Sequence, residues 1–288
     1  MNKFLQLHII IFFWGFTPIL GKLISFGALD LVWFRLVFSV ISLYLFVLYK
    51  KESLKLGVKP ILHLFWVGAI VGYHWYLFYH AIKVSNVSVA MAGFSTITLF
   101  ASVLQPILLQ KKFFWGDFIY GIILVIGLAI IFNFEPSSLS GLIYGMLAAL
   151  TSAFFGVYNG KLINNYGAYK ITFYEFIGAL VTVSITKLFT GDFNLPIPEW
   201  NDTIYLLLLS IVCTTIAFTW SVEILKLFSP LTIIITNNLE PVYGIVFGVL
   251  IFGDTEYMSA GFYIGALLIL ASVFTYPLIK SKFSNEHT

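Results

Sequence analysis

The chain has 288 residues, 60% hydrophobic and only 10% charged, against roughly 45–50% and about 25% in soluble globular domains. Water is therefore excluded as its main solvent, and the net charge of +3 calls for no nucleic-acid partner. The lone cysteine, Cys213, excludes an intrachain disulfide.

Ten apolar stretches fill the chain, at roughly 4–24, 31–49, 61–82, 87–110, 115–132, 139–159, 170–189, 203–222, 229–252 and 258–279, each near the ~20 residues that span the hydrocarbon as a helix. With short connections they leave no room for a soluble domain. Backbone polar groups in lipid must be satisfied by protein, so helices are expected, and no alternating pattern suggests a barrel. The first stretch is too long for a signal-peptide core and lacks a clear small-residue cleavage site, so it is expected to be retained.

The first span carries Trp14 one turn before Pro18 and ends in Gly21-Lys22-Leu23-Ile24; Trp14 is a candidate to line a cavity. The second holds Arg35, whose planar donors suit a carboxylate-bearing substrate or an internal carboxylate. His74 and His80 in the third are six apart, about 240° around a helix, so at most one faces a cavity. His74 is a binding and proton-coupling candidate, and Tyr79 a stacking one. Gln105 lies in the fourth span and Asn159, a further binding candidate, in the sixth, which also ends in a Gly-Lys-Leu-Ile sequence, residues 160–163. Glu175 in the seventh reads as a satisfied residue near the cytoplasmic interface. The eighth places Trp220, another cavity candidate, near Thr214, Thr215 and Thr219.

The ninth span is the most informative. Asn237, Glu240, Gly244 and Gly248 share one helical face, which should point into the bundle. Pro241 removes a backbone donor and loosens the helix around Asn237, and binding sites often lie at such discontinuities. Glu240 is expected either to bind substrate or protons or to sit as a protonated carboxyl bonded to a neighbouring helix. Gly68 and Gly72, Gly156 and Gly160, and Gly244 and Gly248 permit close helix approach. Lys22 and Lys161 are expected to anchor or gate helix ends, and Trp33, Trp66, Trp115 and Trp200 to lie near the interfaces.

The two Gly-Lys-Leu-Ile copies mark a duplication. Phe26-Gly27-Ala28 answers Tyr166-Gly167-Ala168, Arg35 answers Glu175, Gln110 answers Asp254 and Gly121 answers Gly265. The later register sets Glu240 against Thr96. Five spans per copy give the copies opposite polarity, so the expected fold is an all-α membrane protein of ten transmembrane helices in two inverted five-helix repeats, about 4–134 and 139–279. With the amino terminus inside, Lys3, Lys50, Lys51, Lys55, Lys59, Lys111, Lys112, Lys161, Lys170, Lys226, Lys280 and Lys282 fall in cytoplasmic segments, against Lys22, Lys83 and Lys187 outside. Basic loops stay inside, which places both termini in the cytoplasm.

With Trp14-Gly15 and Pro18 leading into Lys22, Arg35 early in the second span, Asp254 closing the ninth and Gly265 in the tenth, the chain resembles the drug/metabolite transporter superfamily, most closely the bacterial EamA-type permeases. The resemblance covers nearly the whole chain. It implies a ten-helix permease of the bacterial plasma membrane with a central cavity and alternating access, exporting or importing small metabolites such as amino acids. The family's fourth-span proline is absent, since Ile97 aligns with Pro241 and Pro106 follows nine residues later, and Gln110 replaces its acidic residue. The first half is therefore expected to bend differently from the second.

Zinc, serine-elbow and nucleotide-loop motifs are missing from the sequence, which argues against an enzyme or an ATP-driven pump, and no filter loop suggests a channel. A lipid or lipid-linked flippase, or an accessory membrane subunit, is the alternative. No cofactor is expected. The partners are a small-molecule substrate and the bilayer, with the protein a monomer or homodimer.

Overall fold

A computed structural model describes residues 2–110, 123, 126–131, 133, 136–191 and 195–284, with the side chains of the last helix described at 260–272 and 275. Regular structure among the described residues is helical throughout. In chain order the helices are α1 (Lys3–Gly15), α2 (Thr17–Leu23), α3 (Ala28–Lys50), α4 (Val58–Val84), α5 (Val87–Phe94), α6 (Ile97–Leu109), α7 (Leu139–Tyr166), α8 (Ala168–Phe189), α9 (Trp200–Leu207), α10 (Ala217–Ile224), α11 (Pro230–Thr236), α12 (Leu239–Phe252) and α13 (Ala260–Ser284). A π-helical segment, Leu208–Ile216, joins α9 to α10.

Among the described residues, eight stretches are long and apolar enough to cross a membrane: Lys3–Leu23, Ala28–Lys50, Val58–Val84, Val87–Leu109, Pro136–Tyr166, Ala168–Phe189, Trp200–Ile224 and Pro230–Thr255. A shorter apolar helix, Ala260–Ser272, stands where the tenth span is expected. Most of the fifth expected span, with Lys111, Lys112, Trp115 and Gly121, lies outside the described residues. The described residues thus supply eight of the ten expected spans and parts of the other two.

Three of the expected spans are each broken in two. The first divides at Phe16, the fourth at Ser95 and Thr96, and the ninth at Asn237 and Asn238. At the ninth the expected mechanism operates: Pro241 has no N–H to give the Asn237 carbonyl, which instead accepts the Glu240 amide at 2.8 Å. The expectation that the first half bends differently is not met, because the fourth span breaks too. There the Ser95 and Thr96 hydroxyls donate to the carbonyls of Ala92 and Gly93, at 2.6 and 2.7 Å, and Pro106 sits inside an unbroken α6.

Close packing follows the small residues. A Cβ on Gly68 would lie 2.2 Å from the Glu175 carbonyl oxygen, so only glycine lets α4 meet α8 backbone to backbone. Gly72 sits on Ala179 of the same helix, Gly160 on Pro230, Gly244 on Met91, and Gly248 on Val87. The helices α3 and α8 begin at Ala28 and Ala168, each after an N-cap glycine, in the register that pairs Arg35 with Glu175. Side-chain caps start α5 and α11: Asn86 Oδ1 accepts the Val89 amide at 2.9 Å and Ser229 Oγ the Thr232 amide at 3.2 Å. Gln105, an expense in an apolar span, is used in the same way, since its Oε1 accepts the amide of Leu231 in the first turn of α11 at 3.0 Å.

The candidate substrate cavity

The three breaks lie around a cavity of about 800 Å³, a volume that includes the open space at its mouth. Trp14 and Thr17 enter it from either side of the first break, and Ile97, Asn237 and Glu240 from the other two. At the ninth span the break residue Asn237 itself lines the cavity, a setting in which irregular backbone is tolerated at membrane depth.

Arg35 is the one arginine of the chain and is 3% exposed. Its Nε donates to Thr214 Oγ1 at 2.7 Å and its Nη1 to Tyr79 Oη at 2.8 Å. The guanidinium carbon lies 4.0 Å from the centre of the Trp75 ring and 5.5 Å from that of Tyr79, an attraction of about 0.5–2 kcal/mol. Two of a guanidinium's five N–H donors are so committed, and among the described residues Arg35 makes no ion pair within 4 Å. A charge deep in a membrane costs about 2.5–3.5 kcal/mol on insertion scales. Here dipoles and ring faces offset that cost while the positive charge stays available to the cavity.

The π segment makes this arrangement possible. Its wider turn lets Thr214 Oγ1 donate five residues back to Leu209 O at 2.6 Å and turns carbonyls off the helical register. The Cys213 carbonyl then accepts from Trp14 Nε1 at 3.1 Å and that of Ser210 from Ser39 Oγ at 3.2 Å. The indole of Trp14 is thus fixed at the cavity wall. Nothing in the hydrophobic pattern of the eighth span foretells a π turn; the run of Thr214 and Thr215 was its only trace.

Glu240 lies opposite in chemistry. It is 6% exposed and lines the cavity, yet its carboxyl bonds to no described side chain or amide. The expected alternative, a carboxyl bonded to a neighbouring helix, is not what the structure holds. Asn237 lines the same wall with its Oδ1 buried and unpartnered. His74 also lines the cavity, donating from Nδ1 to the Ala148 carbonyl at 2.8 Å, which leaves Nε2 as the free ring nitrogen. Phe155, Phe94 and Phe78 surround it with ring centres 5.3, 5.9 and 6.1 Å away. His80 stacks instead on Tyr76 and meets the edge of Tyr144, so the two histidines do part company as their spacing demands.

Asn159 links the cavity to a second buried carboxyl. Its Nδ2 donates to Glu175 Oε2 at 3.2 Å, while Asn159 Oδ1 and Glu175 Oε1 have no partner. Glu175 is wholly buried, not a residue of the aqueous interface. Its repeat mate Arg35 does not touch it. Two expected lining residues stand elsewhere: Tyr79 braces Arg35 from behind the wall, and Trp220 packs beside Leu7, Ile10 and Ile11. Hydropathy could not foresee Trp75, Phe155 and Phe218 as wall residues, because in a chain this rich in aromatics only the tertiary fold separates wall from filling.

A family model described as the EamA-like transporter family matches residues 4–133 and 139–276. The chain belongs to that family. This EamA-like transporter is therefore a multi-pass membrane protein of a family of transporters, not enzymes, as its sequence resemblance implied. It is similar in fold to solved structures, among them one described as "Crystal structure of protein", with a TM-score of 0.71 and 14% identity over 97% of this chain and 98% of that one. No curated relative matches the EamA-like chain in sequence.

Proposed function

We propose that the protein is a permease that carries small organic metabolites by alternating access, with Arg35 and Glu240 as the polar poles of its site. The observation that carries this reading is an aromatic-walled cavity into which a cation without a carboxylate partner among the described residues and a carboxyl without a donor both face. A guanidinium matches a substrate carboxylate, a carboxyl matches an ammonium, and the rings of Trp14, Trp75 and Phe155 suit an apolar side chain. A zwitterionic metabolite such as an amino acid meets all three demands. Asn237, Asn159 and His74 supply further donors and acceptors, while Tyr79 positions Arg35.

The cavity reaches the loop between α10 and α11 through Leu225 and Pro230. Under the lysine distribution that loop is cytoplasmic, so this state faces inward in a cell membrane with both termini inside, built on two inverted repeats. Glu240 and His74 are the groups through which a proton gradient would drive exchange. The test is uptake of radiolabelled amino acids into proteoliposomes across imposed pH gradients. Saturable flux that follows the gradient is expected; flux indifferent to pH removes proton coupling. Headgroup translocation without any solute flux replaces the permease with a flippase.

A further inference from the structure

Opposite the mouth, the bundle is closed by polar contacts that the cavity does not use. Lys22 at the end of α2 donates to Glu256 Oε1 at 2.7 Å and to Thr255 Oγ1 at 2.8 Å, with its ammonium 4.4 Å from the Phe252 ring centre. Glu256 has no exposed surface. Besides Lys22, its carboxylate accepts the Val87 amide at 3.0 Å and the Ser88 amide at 2.8 Å, the first free donors of α5. One buried side chain from the second half thus ties two helices of the first.

The surrounding contacts repeat the pattern. Asp202 accepts the Ser25 amide at 3.0 Å and the Ser25 hydroxyl at 2.5 Å, Lys187 bonds Asp30, and Asn86 Nδ2 donates to the Thr255 carbonyl at 3.4 Å. Asp202, Lys187, Thr255 and Glu256 come from the second half, while Ser25, Asp30, Lys22, Asn86 and the α5 amides come from the first. At the mouth, among the described residues, no ion pair joins the halves.

We propose that Glu256, with Lys22 and the α5 amino terminus, is the latch that seals this face, and that its release opens the cavity there. The inference rests on the alternating-access reading, in which the halves must separate on one face as they close on the other. α5 and α12 are the pieces of broken helices on either side of the latch, and Gly248 on Val87 lets them lie close enough for Glu256 to reach the α5 amides. Removing the buried charge leaves the Lys22 ammonium and two helix-end amides without their acceptor, which favours separation.

A single reporter cysteine tests this. Ser152→Cys, at mid-length of α7 on the cavity wall, is placed in a Cys213→Ala background and treated with a membrane-impermeant maleimide in right-side-out and inside-out vesicles. The parent is expected to label from one vesicle type. In Glu256→Gln and in Lys22→Met, labelling from the other type should rise roughly tenfold or more, a shift of one decade in the opening equilibrium, while Lys22→Arg stays close to the parent. Labelling that remains confined to the parent's vesicle type in a monodisperse Lys22→Met protein overturns the latch. The Lys22 side chain is 25% exposed, so its replacement decides the matter even if Glu256→Gln does not fold. No substrate enters the measurement. Latch variants that open yet carry no metabolite would count against the permease and leave the latch standing.

Discussion

The fourth and ninth spans break in the same way for different chemical reasons. Ser95 and Thr96 stand at φ, ψ of −59°, −15° and −70°, −2°, Asn237 and Asn238 at −61°, −15° and −68°, −4°. One break has a proline three residues past its N-cap; the other has two hydroxyls turned onto their own carbonyls. Ser and Thr can compete for helical backbone in this manner, so a proline is not required for such a break. The halves differ instead in what the break presents. The N-caps Thr96 and Asn238 are 238 − 96 = 142 residues apart, which corrects the sequence register by two and sets Glu240 against Thr98. A carboxyl faces the cavity in one half. In the other, the Thr98 hydroxyl accepts the Asn238 amide and binds the two breaks together.

Glu240→Gln attacks the asymmetric element and should have the largest effect: flux in proteoliposomes falls at least ~tenfold, about 1.4 kcal/mol or more of lost interaction, with an unchanged elution profile. Wild-type flux would reduce Glu240 to filling. Asn238→Ala attacks what the breaks share. Its amide reaches Thr98 Oγ1 and the carbonyls of Ile234 and Ile235, so stability should drop by about 1–2 kcal/mol, read as a lower melting temperature in detergent. Pro241→Ala should do least. If the break is held by the register that it shares with Ser95 and Thr96, the variant melts within about 1 kcal/mol of the parent and keeps more than half its flux. A larger loss would make the proline indispensable in one half only.

Much of this was legible in the sequence because lipid imposes simple rules. Polar side chains in apolar spans need partners or a wet cavity, and Arg35, His74, Asn159, Asn237 and Glu240 do line one. Trp220 was misplaced because a helix face cannot be told to front a cavity or a neighbouring helix by periodicity alone. Glu256 was missed because it sits in a turn, where a carboxylate reads as ordinary surface. Its role exists only once α2 and α5 arrive beside it from more than 160 positions away.

Composition and span length by themselves determined a helical membrane protein, and the duplicated register its two halves, because hydrocarbon allows few ways of satisfying a backbone. The π turn that lifts Thr214 to Arg35, the break at Ser95 and Thr96, and the meeting of Glu256 with Lys22 and the α5 amides were settled only by the tertiary structure. Each depends on side chains distant in sequence competing for the same carbonyls and charges, and that competition has no outcome until the helices are packed.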